Sequence, residues 1–456
     1  LVNRLSIDDP FNLEPIAVGS RLHGTAMASA IVHGDLEAPP SNSLGRRIFF
    51  VNVMYAPPAP ETEERFPDRL PADLFAEAVV RMKEGANAVA PSVIIVNASL
   101  GDRNKPFSGR MSGWARVVDY LAHRYGLLFV ISAGNHLDAL ISNEFNTIAF
   151  EALDPAGKAR SALRSSAAEI GRRRVLAPAE SMNALTVGAL HDDNVGPQAL
   201  PASTFDVWRG TGLCTISSGL GPGYGNAVKP DILAPGGRRH VRLMPNGGGH
   251  RLTPLGPAAG TFGGIRVAVP PGPTDVSPDR TGRSVGTSVA TALMTGLAAR
   301  VHEVLEAVYD DFITIPAPQR AVLLKALLVH GARWTRARDL IVEILGPADP
   351  RQHVRQKDNV RRYLGYGAVE ASIVLDCAQD RATLWAVGSL AREQAHQLFI
   401  PLPVAMSGQA RPHEVAMTVS WFAPPRVGAV RYRGVRLKLN ELENPQAVFG
   451  VKASSE

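Results

Sequence analysis

Two periodicities alternate along the first 376 residues. Short apolar runs recur at Arg47–Met54, Ser92–Ala98, Gly126–Ile131, Ala184–Ala189 and Ala227–Pro235. The first is apolar on both faces, as a strand covered on both sides must be. Between them lie segments of helical spacing. Leu74, Phe75, Ala78, Val79 and Met82 form one stripe; Trp114, Val117, Val118 and Leu121 form another. Strands alternating with helices through short connections predict an α/β domain, a parallel sheet with helices on both faces.

Four further stretches read as helical. His23 opens a small-residue segment that runs to His33-Gly34, and Ser288 opens another through Arg300. Residues 319–331 and the Arg-rich 350–362 also read as helices. A helix as small as Val289-Ala-Thr-Ala-Leu-Met-Thr-Gly296 must be buried with neighbours packed close. From about residue 378 the period changes. Short strands at 383–387, 397–400, 414–422 and 436–439, separated by Pro and Gly, predict a small β-sandwich. The expected domains are therefore residues 1–376 and 378–456. Two stretches, about 136–182 and 237–280, read as insertions, the first helical and the second one or two hairpins beside the serine.

Composition narrows the class. The chain has 456 residues, 45% hydrophobic and 20% charged, in the range of a globular protein. Two cysteines, Cys214 and Cys377, cannot make a disulfide framework. No apolar run approaches the ~20 residues of a membrane span, so no membrane partner is expected. The net charge of +6 includes the runs Arg172-Arg173-Arg174 and Arg238-Arg239. Both read as solvated surface, and without a clustered basic face no nucleic-acid partner is expected.

The chemistry lies in three stretches. Histidine 23 begins His23-Gly24-Thr25-Ala-Met-Ala28. The run Val130-Ile-Ser132-Ala133-Gly134-Asn135 ends a strand, and Gly286-Thr287-Ser288-Val-Ala290 begins a helix. A base, an amide donor and a nucleophile are the parts acyl transfer needs. With Ser99-Leu100-Gly101, these motifs occur in the order and rough spacing of subtilisin-like serine proteases, which the chain resembles over roughly residues 1–376.

The resemblance implies a serine endopeptidase working through an acyl-enzyme. Ser288 would be the nucleophile, His23 the base and Asn135 the oxyanion donor. Ser99, Leu100, Gly101, Ser132, Ala133 and Gly134 would flank an extended peptide or protein substrate. The family usually carries Pro where Ala292 stands, which marks a divergent branch. No cofactor is expected, and no Asp-x-Asp-x-Asp loop offers a calcium site. The compartment is open: an intracellular protease and a secreted, processed one both fit.

The family's aspartate is the gap. The resemblance implies a strand ending in Asp well upstream of the histidine, and His23 leaves no room for one. The expectation is an N-terminal segment, or a partner chain, that supplies it. Asp8 and Asp9 lie 15 and 14 residues before His23 but read as a turn at Asp8-Asp9-Pro10. Two alternatives follow. A pseudoprotease would keep the peptide groove without turnover. An α/β-hydrolase is disfavoured, because there the histidine follows the serine and the serine sits on a Gly-x-Ser-x-Gly elbow, which is not expected here.

Overall fold

The computed structural model describes residues 1–14, 21–39, 43–57, 64–256, 263–271, 277, 279–376, 382–391, 393–396, 416–426, 428–429, 432–435 and 437. In chain order the first half holds β1 (Leu5–Asp8), α1 (Leu22–His33), β2 (Ile48–Val51), α2 (Pro71–Lys83), β3 (Ile95–Ala98), β4 (Asp102–Pro106), α3 (Gly113–Tyr125) and β5 (Leu128–Ser132). Then come β6 (Leu140–Ser142), α4 (Thr147–Ala152), α5 (Pro155–Ala168), β7 (Leu176–Ala177), β8 (Leu185–Leu190) and β9 (Thr204–Phe205). They are followed by β10 (Ile232–Pro235), β11 (Val241–Asn246), β12 (Gly249–Pro254), β13 (Ile265–Ala268), β14 (Thr281–Ser284) and α6 (Thr287–Val308). The domain closes with α7 (Ala317–His330), β15 (Ala332–Arg333), α8 (Ala337–Leu345), α9 (His353–Leu364), β16 (Ala368–Val369) and α10 (Ala371–Leu375).

The central sheet runs β15-β16-β10-β8-β5-β3. From β16 to β3 every pairing is parallel; β15 is antiparallel to β16. Strands β5 and β8 are buried at every position, which matches their largely apolar sequences. Helices α6 and α7 cover one face, with Met294, Leu297, Val301, Leu324 and Leu328 against Val130, Val187 and Ala234. On the other face, α2 and α3 pack Phe75, Val79, Trp114 and Val118 against Phe129 and Ile131. Local chemistry sets the helix ends. The Ser112 hydroxyl caps α3 by accepting the Ala115 N–H at 3.0 Å. Gly126 ends the helix at φ +64.

Helix α1 lies on α6. At Gly296 a Cβ would come 2.5 Å from the Ile31 carbonyl oxygen, so only glycine lets the two backbones approach. Strands β1 and β2 pair in parallel as a separate two-stranded sheet, and β3 is the last strand described in the central one. That arrangement explains why Ile48–Val51, apolar throughout, is only half-buried rather than enclosed.

Both expected insertions have structure. Residues 136–182 contain α4 and α5. Residues 237–280 contain the β11–β12 hairpin and β13, whose antiparallel partner β14 follows the stretch and leads directly into α6. Of the C-terminal strands, 397–400 lies outside the described residues, as does nearly all of 436–439. Residues 383–387 and 416–422 are described without strand pairing. These pieces lie against the main domain. The Trp385 ring meets Tyr309 edge-on at 5.2 Å, and the Tyr432 hydroxyl donates to Asp119 at 2.8 Å. The rest of the expected sandwich lies outside the described residues.

Candidate active site

Ser288 is the second residue of α6, where backbone N–H groups have no partner inside the helix. Its hydroxyl donates to the Ser99 carbonyl at 3.2 Å, and the Ser99 hydroxyl donates back to the Ser288 carbonyl at 2.9 Å. The start of α6 is thus tied to the carboxyl end of β3. The turn before it needs glycine. Gly286 has φ +131, and a Cβ there would lie 2.6 Å from Asn135 Oδ1.

Asn135 follows β5. Its Oδ1 accepts the Thr287 N–H at 3.1 Å, which fixes the side chain against the helix start. Its Nδ2 makes no hydrogen bond among the described residues, so a donor remains beside the Ser288 N–H. Ser132 and Leu100 join the two strand ends: the Ser132 hydroxyl donates to the Leu100 carbonyl at 3.1 Å. A Cβ on Gly101 would be 3.9 Å from Gly134 Cα, so residues 99–101 and 132–134 run side by side. Ala133 is fully buried, its N–H bonded to the Val187 carbonyl.

His23 stands in the first turn of α1. Ile31, eight residues along, meets Gly296, itself eight residues along from Ser288, so α1 and α6 touch at equal sequence distances from His23 and Ser288. The His23 Nδ1 lies 3.1 Å from Glu64 Oε2, both side chains about one-third exposed. A carboxylate only accepts, so it takes its hydrogen bond from Nδ1–H, and in the neutral ring that tautomer leaves Nε2 as the acceptor. No hydrogen bond joins His23 to Ser288 among the described residues.

Neither early aspartate touches His23. Asp8 ends β1 and takes the Arg81 guanidinium at 2.8 and 3.1 Å. Asp9 accepts the N–H groups of Leu13 and Glu14, the turn role expected of it. Glu64 was missed because it sits in a Pro- and Glu-rich loop that carries no spacing signal. The only hint was a carboxylate-dense segment between β2 and α2.

Two other readings need correction. Gly282-Arg283-Ser284-Val285-Gly286 does match the Gly-x-Ser-x-Gly spacing. However, Ser284 pairs with Ile265 in an antiparallel hairpin and is not on an elbow between a parallel strand and a helix. The arginine runs are also not both solvated: Arg173, Arg238 and Arg239 are 2%, 8% and 5% exposed. Among the described residues no group of three or more His, Cys, Asp or Glu side chains could hold a metal ion. No helix among them is long and apolar enough to cross a membrane.

The sequence model of Peptidase S8, the subtilase family, matches residues 7–367. The chain belongs to the subtilase family. This subtilase is 24% identical over 376 residues to the uncharacterized protein y4bN of Sinorhizobium fredii, covering 79% of its own length and 72% of that protein's. Among solved structures it is similar to the prenylagaramide maturation protease PagA, at 17% identity and a TM-score of 0.41 over 81% of this chain and 85% of that one. It is also similar to the patellamide maturation protease PatA, at 18% identity and a TM-score of 0.40 over 82% and 88%.

Proposed function

We propose that this subtilase hydrolyses peptide bonds with Ser288 as nucleophile, His23 as base and Asn135 as oxyanion donor. The observation that carries the reading is the junction of Ser288, Ser99 and Asn135 at the carboxyl ends of β3 and β5, where ligands of such sheets bind. The Ser288 hydroxyl turns from the Ser99 carbonyl towards His23. Its oxygen bonds to the substrate's carbonyl carbon and its proton passes to His23 Nε2. The oxyanion takes hydrogen bonds from Asn135 Nδ2 and the Ser288 N–H. Collapse expels the amine, which takes the proton from His23, and water then releases the acyl group by the same route. An extended peptide or protein substrate would lie along residues 99–101 and 132–134.

Glu64 is the carboxylate we assign to hold the His23 ring. A second source is a segment or partner chain adding a strand beside β3, a reading favoured by that strand's position at the end of the described sheet. A pseudoprotease reading draws on the hydroxyl itself, which is engaged by a backbone carbonyl rather than by His23.

Active-site labelling separates these readings. Reaction of Ser288 with a fluorophosphonate, lost in Ser288→Ala, supports the enzyme. Peptide binding without labelling supports the pseudoprotease. Labelling that survives Glu64→Gln undiminished supports the added strand.

A further inference from the structure

Arg238 and Arg239 are adjacent in sequence and buried, but they spend their charge differently. Arg238 takes the carboxylates: its guanidinium meets Asp193 and Asp206, each at 3.0 Å. Among the described residues the Arg239 guanidinium bonds only backbone carbonyls, of Leu255 and Val285, both at 2.7 Å, and its Nε has no partner there. A cation buried on neutral acceptors is costly to keep. Burial accordingly pulls its pKa down to about 10.

What the cation holds accounts for its retention. The Val285 carbonyl and the Gly286 N–H belong to one peptide plane. Arg239 binds the carbonyl and the Gly236 carbonyl binds the N–H at 2.7 Å. Both grips come from the segment just after β10. The plane they fix is the last one before the glycine at φ +131, and Asn135 closes on the next N–H, that of Thr287. Turning this plane would re-aim the Thr287 and Ser288 N–H groups and the space left for Asn135.

We propose that Arg239 is a positioning residue for the nucleophile turn, setting the Val285–Gly286 peptide so that the Ser288 N–H and Asn135 face one point. The proposal rests on the protease reading for its catalytic consequence but not for its structural one. Lysine is a poor replacement: Arg239 reaches the two carbonyls from two nitrogens of one rigid fork, whereas an ammonium must reach both from a single nitrogen. The second arm on Leu255 also registers the β11–β12 hairpin against the turn, so part of the insertion braces the site.

The test uses the full chain with Arg239→Ala, Arg239→Lys and Arg239→Met, each checked for native circular dichroism. Fluorophosphonate labelling of Ser288 should fall about 10²-fold, as for loss of an oxyanion donor. For peptide hydrolysis kcat should fall with KM nearly unchanged. Added guanidinium should restore Arg239→Ala, while methylammonium should not. Hydrogen exchange at the Gly286 amide should quicken in all three variants. A folded variant that labels at the wild-type rate, or a loss confined to KM, overturns the positioning role. If the unaltered protein does not label, the protease reading fails instead, and Gly286 exchange decides: protection unchanged by Arg239→Met overturns the proposal.

Discussion

Ser99 and Ser288 hold each other's backbone. Each hydroxyl donates to the other residue's carbonyl, at 2.9 and 3.2 Å, so one pair of side chains clamps the end of β3 to the first turn of α6. The clamp brings together two motifs 189 residues apart in the chain.

Removing one arm should be measurable. Ser99→Ala deletes the donor to the Ser288 carbonyl at a buried site. The expected loss is about 1 kcal/mol in urea unfolding, with the slope unchanged. A loss below about 0.3 kcal/mol would mean that the intrahelical bond alone satisfies that carbonyl.

Glu64 and Asp8 make opposite predictions. Glu64→Gln keeps the shape but reverses the preference for the Nδ1–H tautomer, so kcat should fall by about 10³–10⁴. Asp8→Asn should leave kcat within a few-fold, since the Asp8 carboxylate is occupied by Arg81. Steady-state kinetics on a fluorogenic peptide checks both, and the reverse pattern would assign the orienting role to Asp8 instead of Glu64.

Gly286→Ala places a methyl 2.6 Å from Asn135 Oδ1 at a φ that L-residues rarely adopt. Asn135 must give way, and labelling of Ser288 should drop about 10²–10³-fold. Labelling at the wild-type rate would show that Asn135 is not needed where it stands.

These sites differ in how readable they were. Strands β5 and β8 were plain because a strand covered on both faces carries few polar positions, here only Ser132 and Thr186. Helix α3 was plain because Trp114, Val118 and Leu121 share one face between a serine cap and a glycine stop. Ser99, Asn135 and Ser288 stood out because short motifs fell where a parallel sheet presents its chemistry. Glu64 carried no such signal, since a loop carboxylate has no period. Burial of Arg238 was hidden because its partners, Asp193 and Asp206, lie 45 and 32 residues away. Local sequence reports charge, and only the tertiary fold reports what neutralises it.

His302 makes stability depend on pH. It is buried, its Nε2 accepts from Arg320 at 3.1 Å, and burial first, then Arg46 and Arg320, pull its pKa from 6.5 to about 4. The unfolded chain therefore binds a proton between these values that the folded chain refuses. Stability should be full above about pH 6.5 and fall as the pH drops towards 4. Chemical unfolding across that range checks it, and His302→Phe should flatten this contribution. A curve with the same slope in both proteins would assign the loss to other groups.

The central claim is that Ser288 is a working nucleophile. The most direct measurement is mass spectrometry of the full chain after a fluorophosphonate, with peptide mapping of the adduct. The account predicts one adduct, on Ser288, absent from Ser288→Ala and strongly slowed in His23→Ala and Glu64→Gln. An unlabelled Ser288 in folded protein, or an adduct on Ser284 instead, would contradict it.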